Sequence, residues 1–432
     1  MPSSKSSPSR SKAWHLVRVR SRRRLSPHQR YWYQTSGYVL AALVNGAGYG
    51  SRAQLGILYR FASLVSPYLG PAPALDLPRW DSFMTDDHTP IELSWDFHTG
   101  ADKPTIRYSV EPIALDAGTS ANPRNEKAAA EFKKAVVKVF PDTDTTWYNH
   151  FVACLDHRWS DEFPEGHPST VFWAFDLTDK VNTPVTPKAY FFPGTVGYVT
   201  KRTNLQVISD AITSAPGYCP EKLSSFHDFV SYSDKHPDLG LEMDMLALDL
   251  LPVEKSRLKI YFRNRQTSFG SVREMMSLGG QLRNPDFEEG MRKLRILWDS
   301  LLGTEGTLDD EPLPHNGHRT AGILYNVEFR VGGKAPKVKV YIPVRHYAKS
   351  DLQVIESVSR FMVDEVAKRP GLDMAEANAK LYSKCMHKTF KEHALAGGLG
   401  VHTWIACSIQ AGGDLRIVSY INPQAAKLEG KT

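Results

Sequence analysis

The sequence predicts an α+β protein built from five units, each one or two helices followed by two strands, whose ten strands close into a barrel with the helices outside. Three observations carry that expectation. Apolar and polar residues alternate strictly in short paired segments, as in half-buried strands. Between the pairs run segments with apolar residues three and four apart, as in amphipathic helices. The second strand of the last four units also repeats a cation and a tyrosine on one face, the tyrosines advancing by 71, 80 and 79 residues, which marks a repeated supersecondary unit. Ten strands in an open sheet would leave two unpaired edges, and closure removes them.

Taken in order, residues 1–30 read as a basic disordered leader ahead of a single domain over 31–432, with a mitochondrial presequence as the other reading of so Arg- and Ser-rich a start. Residues 31–69 carry helical spacing (Leu40, Leu43, Leu55, Leu58, Tyr59, Ala62, Val65) and end in a Pro- and Gly-rich stretch, 67–78. The first strand pair is 91–97 (IELSWDF) and 105–111 (TIRYSVE). A helix over 126–139 precedes strands 171–177 and 187–192. Helices 205–215 and 222–232 precede strands 242–248 and 257–262. Helices 272–277 and 287–302 precede strands 325–330 and 337–342, and helices 352–367 and 374–394 precede strands 404–409 and 415–421.

Positions i and i+2 of a strand share a face. Lys188 and Tyr190, Lys259 and Tyr261, and Lys339 and Tyr341 therefore point the same way, and Arg416 shares the face of Tyr420. Any one Lys-x-Tyr reads as an ordinary amphipathic strand with its lysine in water; recurrence at the same place in each unit speaks for a shared interior. If the helices cover the apolar face, the lumen collects Arg107, Lys188, Arg257, Lys259, Arg263, Lys339, Arg345 and Arg416 beside four tyrosines. So many like charges are costly unless an anion neutralises them, and tyrosine faces stabilise a cation. A polyanion together with a sheltered carbocation fits heterolysis of an allylic diphosphate. Glu92 alternates with Ile91 and Leu93 and so faces the same lumen, either as a salt-bridge partner or as a carboxylate that stabilises the N–H of an electron-rich ring as it acidifies.

Composition narrows the rest. The 432 residues include 53 Lys plus Arg and 47 Asp plus Glu. Nine of the basic residues lie in the first 30 and no acid precedes Asp76, leaving a body of 44 basic against 47 acidic residues. The basicity is thus concentrated in the tail, which argues against a nucleic-acid partner. Four cysteines without a close pair, Cys154, Cys219, Cys385 and Cys407, read as reduced buried thiols of a cytoplasmic protein rather than a zinc site or disulfide framework. The long uncharged stretches 31–51 and 394–413 are broken by Gly and polar residues, so no membrane span is expected. Gly46-Ala47-Gly48-Tyr49-Gly50 lacks the setting of a dinucleotide fingerprint, and His315 and His318 fall in a Pro- and Gly-rich loop.

Several motifs carry a family resemblance: WDSFMTDDHTPIELSWDF with IRYSVEP over 80–112, PKAYFFPG at 187–194, SRLKIYFRNRQTSFGSVREMMSLGG at 256–280 and KVYIPVRHY at 339–347. They resemble the fungal aromatic prenyltransferases of the dimethylallyltryptophan synthase type, over 31–422. The resemblance implies the antiparallel ten-stranded αββα prenyltransferase barrel and transfer of a dimethylallyl group from dimethylallyl diphosphate to an aromatic ring. By position it implies that Glu92 takes the indole N–H, that Arg107, Lys188, Arg257, Lys259, Lys339 and Arg416 hold the prenyl diphosphate, and that Tyr190, Tyr261, Tyr341 and Tyr420 shield the cation. No metal or other cofactor is implied, and the chain has no Asp-Asp-x-x-Asp motif. The partners implied are the donor and the aromatic acceptor, with a homodimer left open.

Two departures bear on the acceptor. Family members acting on free tryptophan place an arginine where this chain has Glu242-Met243-Asp244-Met245, and a lysine where 171–177 reads VFWAFDL. A larger, less charged indole such as an indole diterpene is therefore expected, with an aromatic polyketide or other phenol as the alternative and a non-catalytic isoprenoid diphosphate carrier as a distant one. Trp95, Trp173, Met243, Met245 and Trp404 either line the acceptor pocket or belong to the core.

Overall fold

The ten strands pair in chain order, each antiparallel to its neighbours, and the last returns to the first, so that no edge is left open. They are β1 (Ile91–His98), β2 (Thr105–Val110), β3 (Val171–Asp176), β4 (Pro187–Phe191), β5 (Glu242–Asp249), β6 (Arg257–Asn264), β7 (Ile323–Arg330), β8 (Lys337–Ile342), β9 (His402–Ile409) and β10 (Leu415–Ile421). The structure is a computed structural model and describes residues 11–155, 166–180, 185–333, 335–368 and 374–428. The barrel expected from the sequence is the barrel observed.

Strand β1 shows how the faces are sorted. Ile91, Leu93, Trp95 and Phe97 are fully buried in the outer core, while Glu92, Ser94 and Asp96 turn to the other face, opposite Ser109, Arg107 and Thr105 of β2. The outer core is the apolar side of the sheet against the helices. Tyr261, Tyr341, Trp404, Ala406 and Val418 form a second, separate cluster inside the barrel, with Tyr190, Met245 and Tyr420 packed on it.

The helix layer begins earlier than composition suggested. Helix α1 (Lys12–Ser21) and helix α2 (Pro27–Gln34) occupy much of the stretch expected to be a disordered leader; residues 1–10 lie outside the described residues. Trp14, Val17 and Ser21 form a buried stripe at helical spacing while Lys12, His15, Val19 and Arg20 face solvent. Trp14 Nε1 donates to the Tyr33 carbonyl at 3.3 Å and Tyr33 Oη donates to the Trp14 carbonyl at 3.1 Å. Charge averaged over thirty residues hides a three-residue stripe, which is enough to dock a helix when its tryptophan finds a slot. Trp14→Ala is expected to cost about 3–5 kcal/mol of stability, read as a lowered denaturation midpoint; a midpoint within error of the parent would mean that α1 is not docked.

Behind α2 stand α3 (Ser36–Gly46) and α4 (Ser51–Arg60), all within the segment expected to be helical. Further round the barrel come α5 (Glu126–Val139), α6 (Thr146–Cys154), α7 (Gly194–Thr200), α8 (Asn204–Thr213), α9 (Ser224–Lys235), α10 (Phe269–Ser277), α11 (Pro285–Leu302), α12 (Val344–Tyr347), α13 (Asp351–Phe361) and α14 (Met374–Thr389). Helix α6 was not expected from the sequence. Helix α11 lies so close to β9 that a Cβ at Gly290 would stand 2.6 Å from Ile409, so glycine is needed there for approach and not for a turn. All four cysteines are free; Cys385 and Cys407 are buried, but Cys154 and Cys219 only partly, against the expectation of buried thiols. Among the described residues no helix is long and apolar enough to cross a membrane.

Candidate active site

The lumen contains a cavity of about 650 Å³, and its side chains sort into three tiers along the barrel axis. One end is charged, the middle is tyrosine, and the other end holds Glu92.

At the charged end the expected cations are brought together, but they do not stand alone. Arg107 forms a close ion pair with Asp96 and reaches Asp176 at 3.0 Å. Arg416 lies 2.5 Å from Asp96, which places it in this cluster. Lys188 pairs with Asp176 at 2.6 Å. Arg257 forms a close pair with Asp249 and reaches Glu328 at 3.2 Å, and Lys259 lies 3.7 Å from Asp249. Burial alone would raise the carboxylates of Asp96 and Asp176, but the adjacent cations outweigh it and hold both well below the usual range. The like-charge cost expected from the sequence is thus met first by the protein's own acids.

These acids follow a rule. Arg107 on β2 stands opposite Asp176 on β3, Lys188 on β4 opposite Asp249 on β5, and Lys259 on β6 opposite Glu328 on β7. Each of these three second-strand cations faces an acid on the first strand of the next unit. Asp96, Asp176, Asp249, Glu328 and Ser408 advance by 80, 73, 79 and 80 residues, so the last place in the series holds a serine. The pairing of Val340 with Cys407 puts Ser408 next in line, beside Lys339. Among the described residues no carboxylate lies within ion-pair distance of Lys339; its ammonium sits 5.4 Å from the Tyr341 ring centroid. Burial, with the Arg107 guanidinium nearby, pushes this lysine down to about 7, and burial pushes Lys259 down to about 8 despite Asp249. Lys339→Gln is expected to raise the melting temperature by about 2–4 °C while weakening binding of a diphosphate; a lower melting temperature would mean that Lys339 has a structural partner.

The middle tier is a chain of rings. Tyr190 and Tyr261, Tyr261 and Tyr341, and Tyr341 and Tyr420 have centroids 5.8, 5.7 and 5.7 Å apart. Phe172 stacks on Tyr190 at 4.2 Å, and Asn326 Nδ2 donates to Tyr341 Oη at 2.8 Å. Burial raises all four phenols above their ordinary value, so they remain neutral and offer π faces without a phenolate to capture an electrophile.

At the far end Glu92 is 9% exposed. Thr403 Oγ1 donates to its Oε1 at 2.6 Å, leaving Oε2 available. Burial pushes this carboxyl up to about 7, against the Thr403 hydrogen bond and the charge of Arg345. No cation lies within ion-pair distance of Glu92 among the described residues, so the salt-bridge reading falls away. Trp404, Met243 and Met245 line the cavity, whereas Trp95 and Trp173 are fully buried in the outer core. Arg263 and Arg345, placed in the lumen by the sequence, stand at this end and not with the other cations: Arg345 Cζ lies 4.7 Å and Arg263 Cζ 5.8 Å from the Trp404 ring centroid. Glu111, by contrast, accepts hydrogen bonds from Trp80 Nε1 at 2.8 Å and Ser82 Oγ at 2.6 Å, and from Ser169. It pins the loop that brings Phe83 and Met84 to the cavity wall.

Residues 28–366 match the tryptophan dimethylallyltransferase family. The chain is 34% identical over 412 residues to a 4-O-dimethylallyl-L-tyrosine synthase of Claviceps purpurea, covering 93% of this chain and 89% of the relative. It is 31% identical to a 7-dimethylallyltryptophan synthase of Aspergillus fumigatus, covering 91% and 84%, and 29% identical to an indole diterpene prenyltransferase of Hypoxylon pulicicidum, covering 84% and 86%. The crystal structure of NotF in complex with brevianamide F and DMSPP superposes with a TM-score of 0.80 at 20% identity, over 96% of this chain and 99% of that one, a likeness of fold. The sequence match, spanning most of the barrel, places the chain in the tryptophan dimethylallyltransferase family of aromatic prenyltransferases.

Proposed function

We propose that the chain transfers a dimethylallyl group from dimethylallyl diphosphate to an electron-rich aromatic ring whose N–H or O–H is held by Glu92. The observation that supports this most is the three-tier lumen, in which an anion site and a hydrogen-bond acceptor are separated by a belt of neutral tyrosines. Arg107, Lys188, Arg257, Lys259, Lys339 and Arg416 stabilise the diphosphate as the C–O bond breaks and it leaves with the electron pair. Tyr190, Tyr261, Tyr341 and Tyr420 flank the allyl cation and keep water from it. The acceptor ring attacks across the belt, its N–H or O–H bonded to Glu92 Oε2, and the proton released as aromaticity returns ends on the Glu92 carboxylate.

An indole of a secondary metabolite, such as an indole diterpene, meets the Glu92 requirement, and so does a phenol. The charged tier supplies the positive charge that a divalent ion would otherwise bring to the leaving group. Incubating the enzyme with dimethylallyl diphosphate and a panel of indoles and phenols in EDTA is expected to give products heavier by one C₅H₈ unit. Rates should lie within about twofold of those in magnesium. Tight diphosphate binding without transfer to any acceptor would instead identify a carrier, and activity that disappears in EDTA would remove the metal-independent part of the reading.

A further inference from the structure

Arg345 lies just after β8, in α12, and its side chain is only 7% exposed. Its Nη1 pairs with Asp86 at 3.0 Å, but that carboxylate is 52% exposed and water-screened. Its Nε is buried without a hydrogen-bond partner among the described residues, although the side chain lines the cavity beside Glu92. Arg263, on the same indole of Trp404, is occupied: it donates to Asp244 at 2.8 Å and to the Thr320 carbonyl at 2.9 Å. The segment 242–245, which carries no arginine of its own, thus holds Arg263 in place through Asp244. A buried guanidinium with a donor to spare is costly until it meets an anion, and its planar fork suits a two-oxygen acceptor. The donor diphosphate belongs to the cation cluster beyond the tyrosine belt, so the anion at this end must come with the acceptor.

We propose that Arg345 binds a carboxylate carried by the acceptor, with the Trp404 ring fixing the plane of the guanidinium. The proposal rests on the prenyl transfer argued above and narrows its acceptor to an aromatic molecule bearing an acid group, in place of the less charged indole expected from the sequence. An acceptor spanning Glu92 and Arg345 is held at two points, which fixes the ring atom presented to the tyrosine belt.

The test uses the full chain, dimethylallyl diphosphate and matched acceptors: L-tyrosine with tyramine, L-tryptophan with tryptamine, and 3-(4-hydroxyphenyl)propionate with its methyl ester. The acid-bearing member of at least one pair is expected to have a kcat/KM at least about tenfold above its partner. Arg345→Gln should shrink that ratio by a similar factor and Arg345→Lys by less. Asp86→Asn, which removes only the exposed competitor, should enlarge it. The propionate pair separates a simple acid from an amino acid. A ratio near one in the parent enzyme, or a ratio that Arg345→Gln leaves intact in folded protein, overturns the carboxylate site while prenyl transfer stands. No transfer to any member of the panel overturns both.

Discussion

Replacing Glu92 by glutamine is expected to lower kcat by about a hundredfold or more while dimethylallyl diphosphate affinity changes less than about twofold. The two effects separate because Glu92 lies a full tier away from the cation cluster and its one side-chain hydrogen bond among the described residues is from Thr403. An amide keeps the shape but is too weak a base to take the proton as the ring N–H or O–H acidifies in the transition state. The pH dependence carries the same argument. Burial raises the Glu92 carboxyl to about 7, and in the proposed reaction only the ionised form accepts the proton. Activity should therefore climb with pH through about 7, and this acid limb should vanish in Glu92→Gln. Thr403→Val removes a hydrogen bond that favours the ionised form, so the limb should move to higher pH. Stability runs the other way: a carboxyl whose folded pKa is raised binds more protons in the native state than in the unfolded one, so its contribution falls as pH rises from about 4.5 to about 7. Glu92→Gln should then be more stable than the parent at pH 8 and gain less at pH 5. A pH–rate profile with its acid limb unchanged in the glutamine variant would remove Glu92 from the chemistry.

What could be read in advance, and what could not, follows from where each signal sits. The strands were readable because IELSWDF and TIRYSVE alternate cleanly, and the lumen because Lys-x-Tyr recurs in register. The acids at the charged end went unread although Asp96, Asp176, Asp249 and Glu328 recur just as regularly, because each looks like an ordinary polar residue near a strand end. Only the inter-strand register puts Arg107 opposite Asp176 and Lys259 opposite Glu328. The division of the arginines was hidden for the same reason: Arg263 is two residues beyond Tyr261, so alternation gives its face but not its height along the barrel. Trp14 shows the complementary limit, since a tail rich in Arg averages to disorder while three residues of one helix face decide its docking.

Lys259→Ala is expected to weaken binding of dimethylallyl diphosphate by about 30-fold or more and to change the number of protons that binding takes up. Its ammonium lies 3.7 Å from Asp249, which keeps Arg257 as a partner when the lysine is removed, so the variant leaves no carboxylate stranded. Arg107 is different. It bridges Asp96 and Asp176, so truncating it breaks two ion pairs at once, leaving Arg416 and Lys188 as their remaining cations, and loss of binding there could reflect local rearrangement of the cluster. Burial depresses Lys259 to about 8 and Lys339 to about 7. At pH 8 a sizeable share of both is neutral before the donor arrives, and the donor itself is already ionised. A diphosphate beside them favours the charged form, so binding at pH 8 should take up on the order of one proton, whereas at pH 6 both lysines are already charged and the uptake falls toward zero. Titration calorimetry in two buffers of different ionisation enthalpy reads this directly as a difference in observed heat, present at pH 8 and reduced in Lys259→Ala. Equal heats in both buffers at pH 8 would place these lysines outside the diphosphate's reach. Proton uptake of this kind would give a site whose cations are paired with its own carboxylates a reserve of positive charge that appears when the leaving group needs it.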